Sequence, residues 1–167
     1  MNIIHGNAWR YEANIDTDAL APIGSYHDLN DMASGAKHCM RDIDPEFAKG
    51  VKEGDVFVAT DNMGIGSSRE AAPLFMKTLG IRCVVAHTFA RIFYRNCFNL
   101  GLPALVCDRA HEIEMGDELK IDPTAGEIIN ETQGQTYICK PIPDHLMAFI
   151  AAGGLMPYLE QRLKKAG

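Results

Sequence analysis

The chain of 167 residues reads as a single α/β domain, 1–167, with a mixed, mostly parallel sheet flanked by helices and a small β-rich appendage. Three observations predict it. Short apolar runs at 55–60, 82–87 and 103–107 are separated by stretches of helical length and period, the spacing of right-handed parallel crossovers. Beyond residue 117 the runs shorten, alternate in polarity and are divided by turn residues, as antiparallel strands are. The 47% hydrophobic content suffices for one core, and no linker, repeat or low-complexity tract divides the chain.

The elements follow in order. Residues 2–11 predict one or two short strands interrupted by Gly6, then a polar turn, Asn14-Ile-Asp-Thr-Asp18. Residues 19–44 carry Pro22, Gly24 and Gly35 and predict an irregular stretch with room for one short helix; long irregular loops in compact domains are often functional. A short helix around 45–51 leads to the buried strand 55–60, a glycine-rich turn, and a helix that stops at Gly80. The strand at 82–87 precedes a helix over 89–100 whose Phe89, Phe93, Cys97 and Leu100 share one face, and 103–107 is the next strand. Short strands at 118–122, 127–129 and 135–139 follow, with a turn at 123–126 between the first two, and helices near 143–152 and 155–165 close the chain.

Bulk properties narrow the function. The net charge is −6 with no run of lysine or arginine, which argues against a nucleic-acid partner. The opening Met-Asn-Ile-Ile-His-Gly lacks the regions of a signal peptide, and no apolar run reaches membrane-spanning length, so the expected location is the cytoplasm. The five cysteines are odd in number, dispersed and never in a Cys-x-x-Cys pair, so neither a disulfide frame, a zinc knuckle nor an iron–sulfur site of this chain's own is signalled. His38 beside Cys39 is the one close His/Cys pair, and no metal is assigned to it.

The segment richest in chemistry is Gly64-Ile-Gly-Ser-Ser-Arg-Glu70, between a strand and a helix. Gly64 and Gly66 allow backbone angles closed to other residues and let a ligand approach the main chain, Ser67 and Ser68 add hydroxyls, and Arg69 offers a planar fork for a carboxylate. Unpaired N–H groups where a helix starts favour an anion there. Ser67-x-x-Glu70 also fits a capping box, in which the serine does no more than close the helix. Pro73 favours the first reading: a helix capped at Ser67 would carry proline beyond its first turn, at a cost of roughly 3 kcal/mol. The helix is therefore expected to begin near Glu70. The motif lacks the third glycine of a dinucleotide fingerprint, the Gly-Lys pair of a Walker loop and the Gly-x-Ser-x-Gly of a nucleophile elbow. Arg91 and Arg95, at helical i, i+4 spacing, default to a solvated face, with a contribution to an acidic ligand's site as the alternative.

These residues resemble the small subunit of the isopropylmalate isomerase (3-isopropylmalate dehydratase) group, related to the fourth, swivelling domain of aconitase. The resemblance covers most of the chain and rests on Asn14 to Asp18, on His38-Cys-Met-Arg-Asp-Ile-Asp44 with Val51 to Asp55, on Gly64 to Glu70, and on Phe89-Ala-Arg-Ile-Phe-Tyr-Arg-Asn96 followed by Asn99 to Pro103. It implies a swivelling β/β/α domain that closes over a large subunit bearing a [4Fe–4S] cluster, with no cofactor held by this chain. The implied chemistry is reversible dehydration of a small hydroxy di- or tricarboxylic acid, in leucine and so branched-chain amino acid biosynthesis if the acid is isopropylmalate. By resemblance Ser67 is the base, Arg69 grips a substrate carboxylate, and Gly66 and Ser68 help to bind it. Asp18 is a second catalytic candidate, with an aspartate holding its own turn as the equal alternative. The loop after Pro22, with Tyr26 and His27, is where the group sets its preference for the substrate's γ-substituent. Here it is one residue longer than in relatives and lacks their arginine, while Ile65 and Ala71 replace a common Cys and His. Dimethylmalate, methylmalate and homocitrate therefore stand beside isopropylmalate as substrates, and a non-catalytic carboxylate-binding module as the reading of another class.

Overall fold

The computed structural model describes residues 3–26 and 30–167. Seven strands form one curled sheet in the order β4-β3-β2-β1-β5-β6-β7. β1 (Ile4–Arg10), β2 (Val56–Val58), β3 (Cys83–Ala86) and β4 (Ala104–Val106) run parallel to one another. β5 (Glu118–Asp122), β6 (Glu127–Asn130) and β7 (Gln135–Ile138) form the antiparallel appendage. Every residue of β2 and β3 is buried, as strands covered on both faces require.

β1 is a single strand and not a pair broken at Gly6. Its first half, residues 4–7, pairs antiparallel with β5, and residues 8–10 pair parallel with β2, so one strand joins the two parts of the sheet. Gly6 serves close approach: a Cβ there would lie 2.0 Å from the carbonyl oxygen of Gly54.

Seven helices accompany the sheet among the described residues. The stretch after β1 holds two short ones where one was expected, α1 (Thr17–Leu20) and α2 (Met32–Ala36), and α3 (Phe47–Gly50) precedes β2. The crossovers are α4 (Ala71–Leu79), ended by a left-handed Gly80 at φ 116°, and α5 (Arg91–Asn99). α5 buries Phe93, Cys97 and Phe98, while Leu100 lies half-buried just past its end, because the helix is a turn shorter than its apolar pattern. After β4 a 3-10 turn at Ala110–Glu112 leads to the appendage, and α6 (Asp144–Ala152) and α7 (Leu155–Ala166) close the chain. None of the helices described is long and apolar enough to cross a membrane.

Under α3 the core is aromatic: Trp9, Tyr11 and Phe57 surround Phe47 at ring-centre distances of 5.4, 6.0 and 5.6 Å. Asp55 anchors this corner. Only 5% exposed, its carboxylate accepts from Trp9 Nε1 at 2.9 Å, from the Lys52 amide at 2.9 Å and from the Asn7 amide at 3.2 Å. Asp55→Ala strands three donors and is expected to cost about 2–4 kcal/mol of unfolding free energy, measured by urea denaturation, with Asp55→Asn costing less.

Candidate active site at the glycine turn

Beyond the carboxyl end of β2 the chain does not enter α4 directly. It first builds a loop over 61–70, and the helix begins at Ala71 after an N-cap Glu70 whose side chain makes no capping bond. Pro73 thus falls in the first helical turn, where its missing N–H costs nothing. Ser67 is not a capping residue, and the two serines and Arg69 lie in the turn itself.

Two neighbours shape this turn. Gly64 has φ 82° and presses on α5: a Cβ there would sit 2.0 Å from Cγ of Phe93. Its amide donates to Ile15 O at 2.7 Å, and Thr17 donates back from its amide to Ile65 O at 2.8 Å and from its hydroxyl to Ser67 O at 2.9 Å. The polar turn of residues 14–18 and the glycine turn are thereby laced together. Gly66, at φ 106°, brings its Cα close enough to Thr17 that a Cβ would lie 3.1 Å from the Thr17 hydroxyl. Asn14 and Asn62, both with positive φ, join the two loops at their base through a 2.9 Å side-chain bond.

The geometry leaves donors free to face a ligand. Gly66, Ser67 and Ser68 are exposed, and among the described residues the amides of 66–70 and both serine hydroxyls donate to no acceptor. Such a row of unpaired N–H groups ahead of a helix is an anion-binding concavity. Arg69, its side chain only 20% exposed, is fixed at two points: Nη2 lies 2.8 Å from Asp18 Oδ1 and Nη1 donates to Ala21 O at 2.8 Å. A guanidinium has five donors, so this clamp orients it without exhausting it.

Asp18 thus contacts Arg69, while the turn-holding role falls to its neighbour: Asp16 caps α1, accepting from the Ala19 amide at 2.7 Å. Asp16 and Thr17 were not singled out in the sequence, although an Asp two residues ahead of a helical Asp-Ala-Leu is an N-cap signal. Tyr26 packs edge-on against Phe75 of α4, ring centres 5.3 Å apart, and His27 lies outside the described residues. Arg91, the first residue of α5, and Arg95 are exposed and form no ion pair among the described residues. Also missed was an exposed pair at the ends of β2 and β3, His87 Nδ1 and Asp61 Oδ1 at 2.6 Å.

Among the described residues no three His, Cys, Asp or Glu side chains come together as a metal would need. All five thiols are buried, and burial pushes that of Cys83 up to about 12, away from the thiolate that iron requires.

Comparison with known proteins follows the same lines. The family model for the aconitase C-terminal domain matches residues 24–110, which contain the glycine turn. The 3-isopropylmalate dehydratase small subunit of Aliarcobacter butzleri is 48% identical over 99% of both chains. That of Caldicellulosiruptor saccharolyticus is 46% identical over 98% of this chain and 94% of the relative. The crystal structure of 3-isopropylmalate dehydratase from Methanocaldococcus jannaschii superposes with a TM-score of 0.92 at 43% identity, covering 99% of this chain and all of that one.

Proposed function

The chain belongs to the family of 3-isopropylmalate dehydratase small subunits, and on that footing we propose that it is one half of a two-subunit hydro-lyase that reversibly dehydrates a branched malate. The partner is a large subunit carrying a [4Fe–4S] cluster, which would supply the Lewis acid for the departing hydroxyl. The observation that carries this reading is the turn at 64–69, where amides with no acceptor among the described residues, two exposed hydroxyls and a clamped guanidinium converge on one small surface. The chain acts as a single domain in the cytoplasm.

Each residue has a physical task. Arg69 binds a substrate carboxylate with the N–H groups that Asp18 and Ala21 leave free. Asp18 is a positioning residue, because its carboxylate holds the guanidinium against rotation. Gly66 and Ser68 line the anion concavity. Ser67 takes the proton next to the substrate carboxylate, and its alkoxide is stabilised by the free amides of the turn, by Arg69 and by exclusion of water once the large subunit covers the exposed hydroxyl. Tyr26, backed by Phe75, and His27 contact the γ-substituent.

The test is reconstitution with the large subunit and assay against a panel of hydroxy diacids. Isopropylmalate is expected to be the preferred substrate; activity with dimethylmalate, methylmalate or homocitrate alone would redirect the substrate while keeping the reaction. No turnover of any of them by an assembled complex would leave only the carboxylate-binding module. Arg69→Lys in the same complex is expected to raise KM about tenfold or more, because an ammonium cannot reproduce the bidentate fork. An unchanged KM would remove Arg69 from substrate binding.

A further inference from the structure

The order of the sheet leaves β4 and β7 as its two edge strands, yet the chain segments that follow them meet. The Lys140 amide donates to Val106 O at 3.4 Å, across the seam where the curled sheet almost closes on itself. On either side of that bond sit Cys107, one residue past β4, and Cys139, one residue past β7. That backbone bond sets the two cysteines side by side, and their thiols perturb each other's ionisation. Cys107 is 1% exposed and Cys139 is 8% exposed, so the pair lies just beneath the surface. The other three thiols are also buried: Cys39 lies just after α2, and Cys83 and Cys97 are on β3 and α5.

We propose that Cys107 and Cys139 are an oxidant-responsive pair, converted by a small peroxide into a disulfide that staples the two edges of the sheet. The neighbouring thiol of Cys139 lowers the pKa of Cys107, and Cys107 in turn raises that of Cys139. Cys107 is therefore the attacking sulfur. Its thiolate attacks one oxygen of the peroxide, the O–O bond breaks, hydroxide leaves, and a sulfenic acid remains on Cys107. The Cys139 sulfur then attacks the sulfenic sulfur, the S–O bond breaks, and the departing hydroxide takes the Cys139 proton to leave as water. Two thiols lose two electrons in all, and one peroxide becomes two waters. The closed loop runs from residue 107 to 139 and encloses the whole antiparallel appendage, so the bond would lock β5–β7 onto the parallel half of the sheet.

The experiment treats the purified full chain with hydrogen peroxide, alkylates the remaining thiols and maps the peptides by mass spectrometry. The expected result is one intramolecular link between Cys107 and Cys139, a fall from five free thiols to three after denaturation, and full recovery with dithiothreitol. The oxidised chain is expected to melt about 5–10 °C higher, as closing a loop of this length predicts. In Cys139→Ser, dimedone is expected to label Cys107, which would then have no resolving thiol. A link joining any other pair, a link between two chains, or five intact thiols would overturn the proposal, and these readouts on the wild-type chain stand even if the variant fails to fold.

Discussion

Ser67→Ala in the reconstituted two-subunit enzyme is expected to lower kcat by about a thousandfold or more while leaving assembly and KM nearly unchanged. A thousandfold loss corresponds to about 4 kcal/mol of transition-state stabilisation, the scale of removing a group that transfers a proton during the reaction. The ground state has little to lose. In the isolated chain the Ser67 hydroxyl holds no hydrogen bond among the described residues, and the bond that ties this residue to Thr17 uses its backbone carbonyl, which alanine keeps. Ser68→Ala is the matched control, since that hydroxyl is exposed on the same turn; a loss of tenfold or so is expected from weaker binding. Steady-state kinetics at saturating substrate, with co-elution of the subunits on size exclusion, decide the matter. A thousandfold loss in Ser68→Ala with a mild effect in Ser67→Ala would exchange their roles, and mild effects in both would leave the turn as a binding element only.

The parts of the structure that could be read from the sequence are those that local chemistry dictates. β2, β3 and β4 appear as uninterrupted apolar runs because both faces of a parallel sheet are covered, and Pro73 places the start of α4 because proline is tolerated only in a first turn. What escaped is what depends on partners far along the chain. Nothing in residues 2–11 announces that one strand will pair with β5 through its first half and β2 through its second; Gly6, read as an interruption, is the place where the backbone of Gly54 comes too near for any side chain. α1 hides inside a polar turn because it is four residues long, too short for its buried Ala19 and Leu20 to show a helical period, and it starts at the Asp16 cap.

The same division applies to the site. That Ser67, Ser68 and Arg69 lie in the turn and not in the helix was legible because Pro73 fixes where the helix can begin. The partnership of Asp18 with Arg69, and the lacing of Thr17 to Ser67, span about fifty residues and carry no periodic signal. Asp16 and Asp18 look alike in sequence; only the fold assigns one to the helix cap and the other to the guanidinium. The meeting of Cys107 and Cys139 is of this kind too, since it exists because the sheet curls.

Gly64→Ala is expected to be among the most damaging changes of one methyl group. Two costs add. The native φ of 82° disfavours any residue with a Cβ, by about 1 kcal/mol or more. The new methyl would also lie 2.0 Å from Cγ and 2.4 Å from Cβ of Phe93. Because Phe93 Cβ is itself too close, no rotation of the ring can clear the space, and the backbones of the glycine turn and α5 must separate. Phe93 is 2% exposed and packed in the core, so that separation opens contacts on both sides. A loss of about 3–5 kcal/mol in unfolding free energy is expected from overpacking and strain together, seen as a lower urea midpoint at unchanged m-value. Gly66→Ala provides the contrast. Its φ of 106° carries a similar backbone cost, but the new Cβ would press only on the Thr17 hydroxyl, at 3.1 Å, which must give by a few tenths of an ångström, a far smaller overlap than the 2.0 Å at Gly64. That variant should stay within about 1–2 kcal/mol of wild type in stability, while losing activity in the reconstituted enzyme because the anion concavity beside Ser67 is deformed. Equal destabilisation by the two substitutions would mean that turn strain alone matters and that the contact with α5 does not hold the turn in place.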